Sequence, residues 1–422
     1  MGHNFYYTAP HARMRIFRFF FLAILLPICF SNVSSQELMA YTVPEMQEMP
    51  PKLIPTSRKY WVSLPKDYDR TANRYPVLFL FDGDQQYMKN LILFDIDQLT
   101  RFGEMPPCII VGMMQRNRTL DFGPLYAIGE LPNSDKVNGD KFFQFIKEEL
   151  VPTLDKKYRT QDFKMAVGHS LGGLFLLNGF TRDPSFFNGI IAISPALELD
   201  RDSTLFANVQ STLKGTLKKQ TFFCWASGTE GVNEKAFRAG SQELLKTFKS
   251  YPNPSFDYKF IDLPGQSHNL TPIYSMLGAL NFLFRKWNLS GWYRELFADK
   301  VNDPIKYYQN RRTEMESLYG FREDPTEDRI QHNIGSELLS SGKYQLALPY
   351  LSRAVALRPK DSSFNADLSA VQEKLGKYAE AVNALKKAAD NLDVEAEDFR
   401  ERSEKYKSDI SRLQSLIATS VH

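Results

Sequence analysis

Ser170 stands at the centre of Gly168-His169-Ser170-Leu171-Gly172, with an apolar run before it (Ala166-Val167) and another after it (Gly173-Leu174-Phe175). A Gly-x-Ser-x-Gly set where a strand turns straight into a helix forces the serine into a tight, strained turn with its hydroxyl above the sheet. Gly168 and Gly172 let strand and helix pass closely, with no Cβ between them. The helix N-terminus then aims unpaired N–H groups and the positive end of its dipole at any negative charge that develops there. This is equipment for acyl transfer through a serine nucleophile.

A serine hydroxyl is a weak nucleophile without a base. The chain has six histidines: His3, His11, His169, His268, His332 and His422. The first two lie in or before an apolar N-terminal segment, and the last two in or after a region of helical repeats. His169 adjoins the serine, where its side chain should point away from the hydroxyl. His268 is left, in Leu263-Pro264-Gly265-Gln266-Ser267-His268-Asn269. It follows the serine in the chain, as the order serine, acid, histidine requires. The acid should lie between the two, in the loop after the preceding strand. Glu230 in Gly228-Thr229-Glu230-Gly231 is the first choice, Glu234 the second and Asp200 a distant third. Its task is to fix the imidazole tautomer and stabilise the imidazolium. The oxyanion should be held by the backbone N–H of Leu171 and by a second N–H after Val77-Leu78-Phe79-Leu80-Phe81. Asp84 in Asp82-Gly83-Asp84 takes that second place, the plainer reading of Asp82-Gly83 being a simple turn.

These residues need a sheet to hold them, and the pattern from about 57 to 290 supplies one. Strands are expected at Tyr60–Leu64, Pro76–Phe81, Cys108–Gly112, Lys164–Val167, Ile190–Ile193, Thr221–Ala226 and Phe256–Ile261. Several are apolar on both faces, as strands of a covered parallel sheet are. Helices are expected at Gly139–Lys157, Leu171–Thr181, Asn233–Ser250 and Pro272–Trp287. Strands alternating with helices predict an α/β fold of the α/β-hydrolase kind, mostly parallel, with the first strand or two as an antiparallel lead-in.

After about residue 300 the strands stop. Gly342, Tyr344, Ala347, Leu351 and Ala354 recur 34 positions later as Gly376, Tyr378, Ala381, Leu385 and Ala388. That period, with small residues at fixed places, is the mark of a tetratricopeptide-like all-α domain. Helices around Pro304–Leu318 and Val394–Ile417 should complete and cap the stack. Such repeats present a surface for a protein partner or for self-association.

At the other end, Arg13, Arg15 and Arg18 precede an apolar run from Phe19 to Phe30 and a small polar stretch to Ser35. The order reads as a signal peptide with a cut ahead of Gln36 and export to the periplasm or medium, Met14 being a second candidate start. The run of about 12 residues falls short of the roughly 20 that a membrane span needs. The expected division is thus 1–35, signal; 36–300, hydrolase; 301–422, repeats. Removing the three arginines of 1–35 leaves 49 basic residues against 49 acidic ones, so nothing favours a nucleic-acid or anionic-membrane partner. Cys108 and Cys224 sit in apolar runs and read as core side chains, without a disulfide framework or metal site.

The chain from about 50 to 290 resembles the putative-esterase family, which includes S-formylglutathione hydrolases, feruloyl esterases, ferric-siderophore esterases and mycolyltransferases. The resemblance rests on Tyr75-Pro76-Val77-Leu78-Phe79-Leu80-Phe81-Asp82-Gly83, on Gly139-Asp140-Lys141-Phe142-Phe143 through Pro152 and Tyr158-Arg159-Thr160, on Gly168-His169-Ser170-Leu171-Gly172-Gly173 and on Ser194-Pro195. A bacterial branch of that family carries tetratricopeptide repeats after the hydrolase. The resemblance implies a serine esterase using Ser170 and His268, with Glu230 where relatives place their acid. It also implies a role near the substrate for Arg118 and Asp121, whose plainer reading is an ion pair bracing a loop. Where relatives often run Ser-Leu-Trp-Trp-Asp after Ser-Pro, this chain has Ala196-Leu197-Glu198-Leu199-Asp200, so its pocket lacks those aromatics.

The expectation is a cofactor-free carboxylic-ester hydrolase acting through an acyl-enzyme on a small acyl, feruloyl or carbohydrate-linked, or siderophore-type ester. Two alternatives stand beside it: passage of the acyl group to an alcohol, and a non-catalytic scaffold that recruits partners through the repeats.

Overall fold

The computed structural model describes residues 41–42, 44–66, 68–70, 73–115, 117–127, 137–287, 303–321, 327–394, 396 and 398–419. The expected signal segment and its cut ahead of Gln36 lie outside the described residues.

Eight strands form one sheet in the order β1-β2-β4-β3-β5-β6-β7-β8. They are β1 (Glu45–Met49), β2 (Arg58–Ser63), β3 (Tyr75–Leu80), β4 (Ile109–Met113), β5 (Thr160–His169), β6 (Gly189–Ile193), β7 (Thr221–Ser227) and β8 (Phe256–Asp262). β1 and β2 run antiparallel, and every pairing from β4 to β8 is parallel. The seven expected strands are present. β1, the eighth, escaped the sequence because Glu45-Met46-Gln47-Glu48-Met49 is largely exposed at the sheet edge and carries no apolar run.

Side chains alternate between two cores because successive residues of a strand face opposite sides. Val77 and Phe79 of β3 enter one core with Phe223 and Trp225 of β7. Leu78 and Leu80 enter the other with Phe222 and Cys224. The first core is covered by α2 (Arg118–Phe122), by α3, by α4 (Leu171–Arg182), by α5 (Thr204–Lys214) and by α6 (Gly231–Ser250). Here α3 is the continuous run Gly139–Phe145, a π-helical turn Ile146–Leu150, and Val151–Lys157. The second core is covered by α1 (Gln86–Arg101) and α7 (Thr271–Leu283). Cys108 and Cys224 are buried free thiols that burial pushes up to about 12, in keeping with a packing role.

Among the described residues six further helices follow: α8 (Pro304–Tyr319), α9 (Glu327–Ser340), α10 (Tyr344–Leu357), α11 (Ser362–Lys374), α12 (Tyr378–Asp390) and α13 (Phe399–Thr419). Ala347, Leu351 and Ala354, like Ala381, Leu385 and Ala388, are buried between paired helices. Gly342 and Gly376 both adopt a positive φ (74° and 73°) at the turn between partners, which explains why glycine repeats there. α8 divides its contacts. Ile305 and Tyr307 pack on the repeat core, whereas Met315, Tyr319 and the following Phe321 bury with Phe163, Phe222, Phe284 and Trp287 under the sheet. A boundary at 300 therefore cuts through a shared hydrophobic core.

Candidate active site

β5 ends at His169 and α4 begins at Leu171, so Ser170 is the whole turn between them. Its backbone is at φ 58°, ψ −118°, a left-handed conformation that costs a non-glycine residue about 1–3 kcal/mol. A Cβ on Gly168 would lie 2.5 Å from the Gly172 carbonyl oxygen, so only glycine lets the helix leave at this angle. Leu171 opens α4, and among the described residues its N–H has no intramolecular partner. The same holds for the N–H of Asp84, in the turn after β3 that is closed by Gln85 N–H donating to the Asp82 carbonyl at 3.0 Å. Gly83 donates to the Met113 carbonyl at 2.7 Å and has no N–H to spare.

Ser170 and His268 line one open cavity of about 540 Å³, together with Gln85, Tyr87, Arg118, His169, Asn269 and Ile273. His268 Nδ1 donates to Glu234 Oε1 at 2.7 Å. Glu234 is fully buried, and its second oxygen accepts from the Gly228 N–H at 2.5 Å and from Ser227 Oγ at 3.2 Å. Burial alone would raise its carboxyl, but hydrogen bonds from His268 and the Gly228 N–H outweigh it and hold the group below the usual range. With Nδ1 committed to the carboxylate, Nε2 is the histidine nitrogen left to face a nucleophile.

The acid at the imidazole is therefore Glu234, and the first choice, Glu230, is displaced. Glu230 is the extended residue before α6; its backbone bridges to Ser267, while its exposed side chain accepts from Thr229 Oγ1 at 3.0 Å. Glu234, one turn in, succeeds because helical side chains tilt back toward the N-terminus, which returns its carboxylate to the end of β7. Asp200 is occupied in capping α5, accepting from the N–H groups of Leu205 and Phe206 at 2.9 and 3.1 Å.

Arg118 and Asp121 belong to two separate ion pairs in place of the one expected between them. Arg118 Nε and a terminal nitrogen grip both oxygens of buried Asp82 at 2.6 and 3.0 Å, and the guanidinium also donates to the His169 carbonyl at 2.5 Å. It thereby ties the turn after β3 to the serine turn and forms part of the cavity wall. Asp121 faces the opposite way, to Arg58 of β2 at 2.6 Å, with both side chains buried. It does not line the Ser170 cavity.

His169 lines the same cavity and has a task of its own. Its Nε2–H donates to the His268 carbonyl at 3.1 Å, and the two rings lie 4.3 Å apart. Burial, with His268 and Arg118 nearby, drives its imidazole down to about 3, so it is a neutral brace beneath the His268 loop. Thr271 Oγ1 supports the same carbonyl at 2.9 Å and itself accepts from Ser194 Oγ at 2.8 Å. Nothing in the sequence pattern marks the His169–His268 and Ser194–Thr271 contacts, because they join residues 99 and 77 positions apart. Among the described residues no cluster of three or more His, Cys, Asp or Glu is arranged to hold a metal ion.

Residues 52–253 match the family model described as Putative esterase, and residues 338–397 match a tetratricopeptide repeat model. The sheet region thus resembles the putative-esterase family. A curated relative, ferri-bacillibactin esterase BesA of Bacillus subtilis (strain 168), is 26% identical over 250 residues, covering 54% of this chain and 86% of the relative. Among solved structures, an uncharacterised protein from Capnocytophaga ochracea DSM 7271 superposes with a TM-score of 0.60 at 19% identity, over 88% of this chain and all of that one. An IroE-like serine hydrolase from Shewanella oneidensis gives 0.58 at 20% identity, over 75% and 99%. These superpositions concern the fold, and the first extends past the sheet into the helical region. The family match and the ferri-bacillibactin esterase relative support an esterase-type hydrolase. Among the described residues, no helix is long and apolar enough to cross a membrane.

Proposed function

We propose that this protein is a serine carboxylic-ester hydrolase that works through an acyl-enzyme. Ser170 Oγ attacks the ester carbonyl carbon as its proton passes to His268 Nε2, while Glu234 holds the imidazole and stabilises the imidazolium. The resulting oxyanion lies at the N-terminus of α4, where the Leu171 and Asp84 N–H groups receive it. Collapse breaks the C–O bond, and the leaving alcohol takes the proton from His268. Water then attacks the acyl-enzyme, gives its proton to His268, and releases the carboxylic acid with Ser170 restored.

The observation that carries this reading is the fully buried Glu234 bonded to His268 Nδ1 at 2.7 Å, beside a serine held at positive φ in the same cavity. A purely structural histidine needs neither the buried charge nor the strained serine. Incubation with a fluorophosphonate followed by peptide mass spectrometry should place the adduct on Ser170. An unlabelled serine in folded protein would overturn the proposal. Export through residues 1–35 belongs to the same reading, and recovery of a mature chain beginning at Gln36 would support it. Intact protein retaining residues 1–35 would count against it. The repeats offer a surface to a partner or a second copy, which the mass of the full chain's complexes in solution tests.

A further inference from the structure

The outer face of α7 is apolar and uncovered. Leu270, just before the helix, and Ile273, Tyr274 and Leu277 within it are each between 40% and 58% exposed. Their spacing puts them on one side of the helix, a stripe about 10 Å long. The opposite side, with Met276, Ala279 and Leu280, is already buried in the core. Isolated exposed apolar residues are ordinary, but a helix apolar on both faces calls for cover on both. α7 packs beside α1, where Tyr87 is 42% exposed.

The stripe is continuous with the catalytic cavity. Ile273 belongs to both, Tyr87 of the neighbouring α1 also lines the cavity, and Leu270 follows His268 by two residues. The cationic group of the cavity wall, Arg118, has its charge balanced by the two oxygens of Asp82. An anionic substituent thus finds little to attract it, while an uncharged apolar one finds a surface leading outward from Ser170.

We infer that the substrates are esters with a neutral apolar arm, which leaves the cavity past Ile273 and lies along α7 over Tyr274 and Leu277. The inference rests on the esterase reading above. A methylene half-covered on such a shelf should raise kcat/KM roughly twofold, about half the free energy of full burial. From acetyl to octanoyl the gain is on the order of 50-fold.

The test is kcat/KM for nitrophenyl esters from acetyl to octanoyl and for a matched series of alkyl acetates, all below their micellar concentrations. The full-length chain is compared with the Tyr274→Gln, Leu277→Gln double variant. Both substitutions are on the exposed face and keep good helix formers, so folding should be unaffected. In one series the unsubstituted protein should gain about 50-fold with length, and the double variant should fall to within about fivefold while hydrolysing acetyl esters unchanged. A flat length profile in both series, or a steep one that the double variant retains, overturns the inference. A shift from dimer to monomer with the profile unaltered overturns it too, by showing that α7 is covered by a second copy. Fluorophosphonate labelling, run in parallel, separates the two levels. Labelled Ser170 with a flat profile rejects only the apolar arm, whereas unlabelled Ser170 rejects the esterase reading and the arm with it.

Discussion

Replacing each of the two glutamates in turn separates them sharply. Glu234→Gln keeps the shape and removes the charge. The carboxylate accepts from His268 Nδ1 on one oxygen and from the Gly228 N–H and Ser227 Oγ on the other. An amide has one acceptor oxygen, so whichever way it turns, its NH2 meets a donor. If the oxygen faces His268, the Gly228 N–H is unpaired; if it faces Gly228, the imidazole is driven toward the wrong tautomer. Loss of a charge in contact with the imidazolium, at an effective dielectric constant near 20, removes about 3–5 kcal/mol from the transition state. At about 1.4 kcal/mol per tenfold, kcat should fall roughly 10²–10⁴-fold. The unsatisfied donor should also cost about 1–3 kcal/mol of stability. Glu230→Gln alters an exposed side chain and should change kcat less than twofold. The assay is steady-state hydrolysis of a short nitrophenyl ester, with thermal unfolding to confirm that both variants fold. A Glu230→Gln collapse, or a Glu234→Gln enzyme within about threefold of the unsubstituted one, would refute the reasoning.

Other consequences follow from the same contacts. His169, held near 3 in the fold against 6.5 in the unfolded chain, stays neutral while the unfolded chain takes up a proton. Its contribution to stability is therefore complete above pH 6.5 and is lost as pH falls toward 3, by up to about 1.4 kcal/mol per pH unit. Denaturant unfolding from pH 7 to 4.5 should show that slope, and His169→Gln should reduce it; an equal slope in both proteins excludes His169 as the source. Gly168→Ala would press a Cβ to 2.5 Å from the Gly172 carbonyl and should abolish soluble, folded protein or cost several kcal/mol, read as a drop in Tm. Tyr319→Ala, at the shared core beneath the sheet, should cost about 3–5 kcal/mol and lower the Tm of the esterase region itself. Unchanged unfolding of that region would mean that α8 is only an appendage.

The sequence by itself determined the local features. Period-two and both-face apolar runs marked seven strands, the 34-residue recurrence marked the paired helices, and glycines on both sides of Ser170 marked the turn, because each of these depends on neighbours in the chain. Elimination among six histidines pointed to His268, which lines the cavity with Ser170. What tertiary structure decided was which long-range partners meet. Glu230 and Glu234 are the same residue type four positions apart, and only the exit angle of α6 from β7 shows which carboxylate returns to the imidazole. Arg118 and Asp121 have the spacing of a local pair, yet Arg118 is satisfied by Asp82 in the turn after β3 and Asp121 by Arg58 of β2, since a buried charge is partnered by whatever the packed sheet brings close. The division of α8 between two cores was equally hidden, because Met315, Tyr319 and Phe321 acquire their partners only when the sheet has formed.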